Sequence, residues 1–427
     1  MNKVVALING RLLDPKTQST TVMNLFFNES GVLVGMGYVP EEEGDEMVVI
    51  DLKGATILPN IMDAHTHLRE PGGEGIETLE TASLAALHSG ITLLIATPDT
   101  TPPVDTPEMV LFIHTRRKQT AHVPIYTMGM LTQQGAGLTL AERQLMVAEG
   151  AIGFTDGNSL TNTALMRLAL QYEGTHPIVV TPYDPYLSDG GGIVEGAVAT
   201  RLGLKGIPSE SESVRMARDI ALCEKVGGRL HFFPVTTRKG VELIRSAKAK
   251  GLPITCGTAP HYFWLDDTAI EGYPTCMKVS PPLQSADDVL ALIEGIQDGT
   301  IDVIASGHSP TAIDDKRCDW TSATSGVSGI ETLVPATLTR LVPTVGIHRI
   351  LACLSTNPNQ IFGLKKQGIA LGNSPSLGVF RLDESVTVNA SSFVSMGKCS
   401  PFDGMTLQGK AVLTMVDGHI KWQDSSL

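Results

Sequence analysis

Two histidines placed two positions apart are the residues of this chain best suited to chemistry. His65 and His67 belong to the segment MDAHTHLREPG at positions 62–72. Side chains at positions i and i+2 of a β-strand point to the same side, so this pair can bind one metal ion together. A zinc site takes at least three protein ligands, and the pair therefore forms a metal site only if later strands supply the others.

The size and composition of the chain indicate a compact protein whose partners are small molecules or other proteins. Its 427 residues are 42% hydrophobic, which is enough for one large barrel with an accessory domain or for several ordinary domains. The formal net charge is -13. Because nucleic acid and anionic lipid both require a basic surface, we expect no nucleic-acid partner and no membrane partner.

The cysteines and the amino-terminal segment indicate the compartment. The six cysteines are scattered without a Cys-x-x-Cys pair, which predicts neither a disulfide scaffold nor a cysteine zinc site. The amino-terminal segment lacks the length and the cleavage site of a signal peptide, and no stretch approaches the roughly 18 apolar residues of a membrane span. We therefore expect a cytoplasmic protein.

Strand-like runs at both ends of the chain frame a longer region in which strands and helices alternate. We expect residues 1–52 and 371–427 to form one small β-sandwich domain. Residues 53–370 contain eight apolar, strand-like runs separated by helical stretches, which is the pattern of a (β/α)8 barrel whose chemistry lies at the carboxyl ends of the strands. One of the barrel helices is predicted at 210–225. The eight candidate strands are 55–59, 92–96, 124–128, 152–155, 178–181, 229–233, 254–256 and 301–305.

Six specific motifs occur in order along the chain, and through them it resembles the dihydroorotase family of the amidohydrolase superfamily, in particular its longer bacterial type. The resemblance covers nearly the whole length. It implies a TIM barrel with a small β-sandwich domain built from both termini, and a reaction that opens or closes a cyclic amide with one or two zinc ions. The motifs are HTHLREPG (65–72), GFTD (153–156), KVSPPL (278–283), DGTID (298–302), GIETL (329–333) and NPNQIFGL (357–364).

The expected zinc ligands are only half present. The family places His-x-His on strand 1, a carboxylate on strand 4, one histidine each on strands 5 and 6, and an aspartate on strand 8. Asp156 keeps the strand 4 carboxylate, but Thr181, Pro234 and Gly307 occupy the strand 5, 6 and 8 positions. None of these three offers a good zinc ligand, and Gly307 also replaces the group that shuttles the proton.

Two nearby histidines do not repair the set. His231 lies three positions before Pro234, and His308 lies one position after Gly307. Residues an odd number of positions apart on a strand face opposite sides, so both histidines are predicted to face away from the barrel mouth.

The substrate positions implied by the resemblance are altered as well. Thr311 replaces a histidine, Asp99 stands where an asparagine contacts the substrate carboxylate, and Gln284 stands where an arginine is usual. Arg69 is the remnant of the carboxylate clamp. We expect Asp99 either to repel an anionic substrate or to form an ion pair with this arginine.

The changes gather at the ligand and substrate positions, while the motifs that shape turns and core persist. We therefore expect a non-catalytic homologue of the family, with no catalytic residue, no cofactor, no bound metal and no substrate-binding residue beyond the remnant Arg69. If residual zinc is bound, we expect His65, His67 and Asp156 to hold it.

Assembly with another protein is the function we expect for such a chain. Members of this family associate with aspartate carbamoyltransferase, the preceding enzyme of pyrimidine biosynthesis. The resemblance therefore implies a subunit that supports the carbamoyltransferase catalytic chain in a hetero-oligomer of roughly six plus six chains. The alternative is an active mononuclear zinc amidohydrolase acting on a cyclic amide, and a third possibility is a pocket that binds a regulatory small molecule.

Overall fold

The computed structural model describes residues 3–15, 17–37, 46–157, 160–172, 174–365 and 367–427. The strands are β1 (Lys3–Asp14), β2 (Ser19–Phe27), β3 (Leu33–Met36), β4 (Glu46–Asp51), β5 (Thr56–Pro59), β6 (Met62–Thr66), β7 (Leu93–Ala96), β8 (Ile125–Thr127), β9 (Ile178–Val180), β10 (Ile193–Val194), β11 (Gly206–Ile207), β12 (Leu230–Phe232), β13 (Ile254–Thr258), β14 (Val303–Ile304), β15 (Leu377–Thr387), β16 (Thr406–Val416) and β17 (His419–Gln423). The helices are α1 (Leu79–His88), α2 (Pro107–Thr120), α3 (Arg143–Ala148), α4 (Thr163–Gln171), α5 (Ala197–Leu202), α6 (Glu210–Val226), α7 (Arg238–Ala249), α8 (Pro260–Trp264), α9 (Ala286–Asp298), α10 (Ile330–Val345), α11 (Ile347–Leu351) and α12 (Asn357–Ile361).

Both ends of the chain contribute to a single eight-stranded sheet. Its strand order is β17-β16-β15-β5-β1-β2-β3, and β4 pairs with β1. One face of this sheet buries an apolar cluster that includes Leu7, Phe27, Ile57 and Leu413. Since a sheet face of this kind is stable only when its apolar side chains leave water, the two termini hold each other in place.

The middle of the chain forms a barrel of parallel strands. Strands β6, β7 and β8 make one parallel sheet, and β9, β12, β13 and β14 make another. Single bridges join the two sheets: Phe154 pairs with Gly129 and Ile178, and Thr66 pairs with His308. Counting the bridge at Phe154 as a strand position, eight parallel positions close the ring, which is the architecture of the expected (β/α)8 barrel.

The first barrel strand differs from the prediction. The candidate at 55–59 lies in the terminal sheet, where β5 pairs with β1 and β15. The barrel begins instead with β6, which carries His65 and pairs with β7. An apolar run cannot distinguish these two locations, because strands buried in either sheet have the same composition.

The helices between the strands cover the outside of the barrel. Helix α6 spans Glu210–Val226, close to the predicted 210–225. Its inward side buries residues such as Met216, Ile220 and Cys223 at helical spacing. The helix ends at Gly227, whose φ of 80° is a conformation that glycine adopts without steric cost. No helix of the described residues is both long and apolar enough to cross a membrane.

One disulfide joins two distant segments. Cys276 and Cys399 are bonded across a sequence separation of 123, and the other four cysteines are free. Scattered cysteines did not predict a disulfide scaffold, and none is present beyond this single bond within the described residues. The pairing depends on the meeting of two loops in the fold, which spacing alone cannot show.

Candidate functional site

A cavity of about 260 Å³ opens at the carboxyl ends of the barrel strands. This is the end of the barrel at which residues from several strands can reach one substrate. Its lining joins residues that are far apart in sequence: His65, His67, Asp99, Asp156, Gly157, Thr181, Phe233, Pro234, His261, Tyr262, Val279, Ser280, Gly307, Ser309, Ser325, Gly326 and Val327.

A larger groove lies elsewhere and has a different character. It has a volume of about 650 Å³ and lies between α3 and α4, next to the amino-terminal ends of β9 and β12. Its surface is mostly apolar. We place the candidate site in the smaller cavity, because barrel chemistry requires polar groups that converge at the carboxyl ends of the strands.

His65 is packed as a neutral, buried ring. It lies on β6, is only 7% exposed, and stacks on Phe233 with ring centroids 4.3 Å apart. Its centroid lies 5.4 Å from that of His67 in an edge-on arrangement. Burial, and secondly the proximity of His67, lower the pKa of His65 well below its ordinary value. The ring therefore stays uncharged at neutral pH.

His67 forms a hydrogen-bonded pair with Asp99. His67 Nδ1 lies 2.7 Å from Asp99 Oδ2, and Thr97 Oγ1 donates to Asp99 Oδ1 over 2.5 Å. Burial by itself would raise the pKa of Asp99, but His67, Arg69 and Thr97 together hold it well below its usual range. Because Asp99 is ionised, Nδ1 of His67 donates to it, and in the neutral ring Nε2 is then the acceptor.

Arg69 binds to the same carboxylate. Its Nη1 donates to Asp99 Oδ2 over 3.1 Å, and its Nη2 donates to Ser309 Oγ over 2.9 Å. The backbone of Arg69 has a φ of 60°, which a residue with a side chain adopts only at an energetic cost. Of the two expectations for Asp99, the ion pair with Arg69 is the one observed.

The carboxylate of Asp156 is hydrogen-bonded to Thr132 on the loop after β8. Its two carboxylate oxygens accept hydrogen bonds from Thr132 N at 2.8 Å and from Thr132 Oγ1 at 2.7 Å. Burial raises its pKa above the ordinary value. Both oxygens are therefore used in fixing the loop after β8.

The donor set does not fit the metal centre implied by the resemblance. Thr181, Pro234 and Gly307 do line the cavity, as the alignment of motifs predicts, and they bring no imidazole or carboxylate to it. Among the residues that the structure describes, no group of three or more His, Cys, Asp or Glu side chains lies close enough together to hold a metal ion. His65, His67 and Asp156 share the cavity but are not gathered around one point.

Neither His231 nor His308 belongs to the cavity lining. Strand parity explains this for His308, because Gly307 and Ser309 on either side of it line the cavity, but not for His231, because Phe233 and Pro234 both line it. The Nδ1 of His231 bonds to Thr255 Oγ1 at 2.9 Å, and burial lowers its pKa to about 3. The Nδ1 of His308 accepts from Gly329 N, and its Nε2 lies 3.2 Å from the Glu77 carboxylate. Both rings therefore make hydrogen bonds with neighbouring protein groups outside the cavity lining.

Two of the altered substrate positions do not face the cavity. Gln284 is buried, and its Nε2 donates to the Pro282 carbonyl over 3.0 Å. Thr311 is buried as well. Neither belongs to the cavity lining.

His261 is a cavity residue that sequence reasoning missed. It follows β13 directly, on the short helix α8, and it is 4% exposed. Burial lowers its pKa to about 3, which keeps the ring neutral. Its place just beyond a barrel strand was a usable signal, because such positions line the active end of a barrel.

Known proteins similar to this chain are named as dihydroorotases and hydantoinases. Residues 54–240 match the family described as dihydro-orotase-like. Dihydroorotase of Acetivibrio thermocellus is 37% identical over 96% of this chain and 97% of its own length. Dihydroorotase of Pelotomaculum thermopropionicum is 39% identical over 97% of each chain.

Solved structures with the same architecture confirm the fold. L-hydantoinase (dihydropyrimidinase) from Arthrobacter aurescens superposes with a TM-score of 0.86 at 26% identity, and the match covers 97% of this chain and 95% of that one. A D-hydantoinase (dihydropyrimidinase) from Thermus superposes with a TM-score of 0.83 at 22% identity. The expected TIM barrel with a terminal β domain is therefore confirmed.

The expectation of a non-catalytic subunit that supports aspartate carbamoyltransferase is wrong by these comparisons. The relatives that match over nearly the whole length are named as the enzyme dihydroorotase, and a solved relative is a hydantoinase. The expectation rested on absent zinc ligands, and it left out groups such as the His67–Asp99 pair that only the fold brings together. With 37% identity over 96% of its length to a dihydroorotase, the chain belongs to the dihydroorotase-like family.

Proposed function

We propose that this chain is an enzyme that opens or closes a cyclic amide in the cavity at the carboxyl ends of the barrel strands. The observation that carries the proposal is the His67–Asp99 pair, which presents an imidazole to a cavity of about 260 Å³. The names of the relatives support the reaction type, because dihydroorotase and hydantoinase both act on cyclic amides.

The proton chemistry follows from the orientation of His67. Asp99 fixes Nδ1 as the protonated nitrogen, so Nε2 accepts a proton from a water molecule. As the water oxygen bonds to the amide carbonyl carbon, the C–N bond of the ring breaks and the leaving nitrogen takes up the proton from Nε2. Ring closure is the reverse sequence. Asp99 stays ionised throughout and stabilises the imidazolium that forms.

The metal content remains a proposal to be tested separately. Since the described donor set does not fit a metal centre, we assign no step to zinc. If residual zinc is bound, His65, His67 and Asp156 remain the ligands that we predict. Elemental analysis of the purified protein after incubation with zinc and removal of the excess decides it, and a stoichiometric amount would require these three side chains to rearrange.

The charge balance of the cavity favours an uncharged ring over an anionic one. Arg69, beside the cavity, is already paired with Asp99. A substrate carboxylate would have to compete with Asp99 for the guanidinium. We therefore propose that a neutral cyclic amide such as dihydrouracil or hydantoin is a better substrate than dihydroorotate.

A direct assay tests the proposed function. The purified chain is incubated with dihydrouracil, hydantoin and dihydroorotate, each with and without added zinc, and ring opening is followed by loss of the ring amide absorbance. We expect turnover of a neutral ring and its loss in His67→Asn. The absence of turnover with every ring under both conditions would contradict the proposal.

Association with aspartate carbamoyltransferase and a cytoplasmic location remain predictions. Their test is independent of the reaction: the two proteins are mixed and separated by size-exclusion chromatography with light scattering. Co-elution at a defined stoichiometry is expected, and separate elution at micromolar concentration would remove this partner. Fluorescence of the tagged chain in intact cells tests the location.

A further inference from the structure

The disulfide lies beside the candidate site. Cys276 is in the short turn Thr275–Met277, and Cys399 is in the segment between the turn Ala390–Ser392 and β16. Their Cα atoms are 5.4 Å apart, within the range that a disulfide spans. Cys276 lies three residues before Val279, a cavity residue, and the Cys399 carbonyl accepts a hydrogen bond from Ser328, next to the cavity residue Val327.

On one side, Cys276 anchors the wall that contains Val279 and Ser280. Both of these residues line the cavity. The residue between them and the turn, Lys278, is fixed by its Nζ, which donates to the carbonyls of Trp320 at 2.7 Å and of Thr321 at 3.0 Å. These are contacts to a loop rather than to a barrel strand, so the disulfide is the covalent restraint on this wall.

On the other side, Cys399 anchors the wall formed by residues 325–327. Its carbonyl accepts from Ser328 N at 2.8 Å, directly after Val327, which lines the cavity. The two walls also meet: Gly326 N donates to the Lys278 carbonyl over 3.0 Å. The bond between the two sulfurs therefore crosslinks two adjacent walls of one cavity.

The remaining thiols are unable to take over this role. Cys223, Cys256 and Cys353 are buried, and burial raises the pKa of each thiol. Buried thiols with raised pKa values are poor nucleophiles. Cys318 is exposed and free, which makes it a control thiol outside the crosslink.

We propose that the Cys276–Cys399 disulfide is a redox-controlled latch on the cavity walls. When it is formed, residues 276–280 are covalently tied to Cys399, whose carbonyl binds Ser328 beside residues 325–327. When it is reduced, hydrogen bonds such as the one from Gly326 N to the Lys278 carbonyl remain, and the mobility of the 276–280 wall rises. This holds whether or not the proposed hydrolysis is correct, because it concerns the mobility of the walls.

The reducing step is a thiol–disulfide exchange with a dithiol. One thiolate of the dithiol attacks the sulfur of Cys276, which is half-buried and the more accessible of the two, and the Cys399 sulfur leaves with the electron pair and takes a proton. The second thiol of the reductant then releases Cys276. Two electrons pass from the dithiol, which becomes a disulfide, and the reverse reaction with glutathione disulfide restores the latch.

Alkylation and hydrogen exchange test the latch on the full chain. Samples are equilibrated with glutathione disulfide or with dithiothreitol. Each sample is then unfolded and alkylated, and the mass of the intact chain is measured by mass spectrometry. Because four of the six cysteines are free, we expect four alkyl groups in the oxidised sample and six in the reduced one. Six groups in both samples would show that the bond does not form and would overturn the proposal.

Hydrogen exchange then measures the walls. We expect amides in 276–284 and 325–330 to exchange about tenfold faster after reduction, with β9 unchanged. Cys318→Ser should keep this difference, and Cys399→Ser should exchange fast in both conditions. Equal exchange of the two segments in the oxidised and reduced parent would refute the latch, even if Cys399→Ser fails to fold.

Discussion

Replacing Asp99 by asparagine tests the central element of the proposed site. The change keeps the shape of the side chain and removes its charge. In the parent, Asp99 accepts from His67 at 2.7 Å and from Arg69 at 3.1 Å. In Asp99→Asn the amide can instead donate to Nδ1 of His67, which places the ring proton on Nε2. The ring then faces the water with a donor rather than an acceptor.

The expected loss of kcat follows from this change of the His67 tautomer. Positioned general base catalysis contributes about 10² to 10⁴ in rate, and a wrong tautomer removes that contribution. We therefore expect kcat to fall by about 10² to 10⁴. Stability should change little, because the Asp99 side chain is 31% exposed and the Arg69 side chain is 23% exposed, so that freed donors can reach water.

Two measurements are needed, so that the result is informative at any level of activity. The first is kcat and KM for ring opening, with Asp105→Asn as the matched control, since Asp105 accepts from Gln134 N outside the cavity lining. The second is nitrogen NMR of histidine-labelled protein, which reports the His67 tautomer directly. A kcat within about threefold of the parent, together with an unchanged tautomer, would refute the role assigned to Asp99.

Two further predictions concern stability. The buried Glu212 accepts four hydrogen bonds from two threonines, and burial raises its pKa to about 7. The folded state therefore holds the proton to a higher pH than the unfolded state does. The free energy of unfolding should fall by about 3 kcal/mol as pH rises from 4.5 to 7. Glu212→Gln should flatten that part of the urea-unfolding profile while the exposed control Glu210→Gln leaves it unchanged, and an equal slope in both would contradict the assignment. Gly307 has a φ of 62° and its added Cβ would lie 3.1 Å from a buried histidine ring, so Gly307→Ala should cost about 1 to 3 kcal/mol. The control Gly363→Ala has a similar φ of 65° and open space, and equal losses in the two variants would exclude the steric contribution.

The fold was predictable because its signals are repeated along the chain. Apolar runs and helical stretches alternate through the middle of the sequence, and each of them independently favours a barrel. Helix α6 was predicted to within one residue at its end because its apolar positions follow a single face. The location of 55–59 was not predictable, because only the pairing of β5 with β1 and β15 assigns it to the terminal sheet.

The site was predictable in some of its members, such as His65 and Thr181, but not in their contacts. The alignment of motifs placed Pro234 and Gly307 in the cavity, and strand parity turned His308 away from it. Parity is a local property and can be read from the sequence. The hydrogen bond that organises the site joins His67 to a residue 32 positions away, and no local pattern reports such a pair.

The meaning of a substitution at a site depends on the neighbours that the fold gives it. Read alone, Asp99 is a negative charge in the path of an anionic substrate. With His67 and Arg69 around it, the same carboxylate is compensated and orients an imidazole toward the cavity. A lost ligand removes one route to an activated water molecule, whereas a gained hydrogen bond can provide another, and both changes look alike in a sequence. The replacement of the family's ligands by Thr181 and Gly307 therefore concerns metal binding, whereas the His67–Asp99 pair concerns the proton transfer of the reaction.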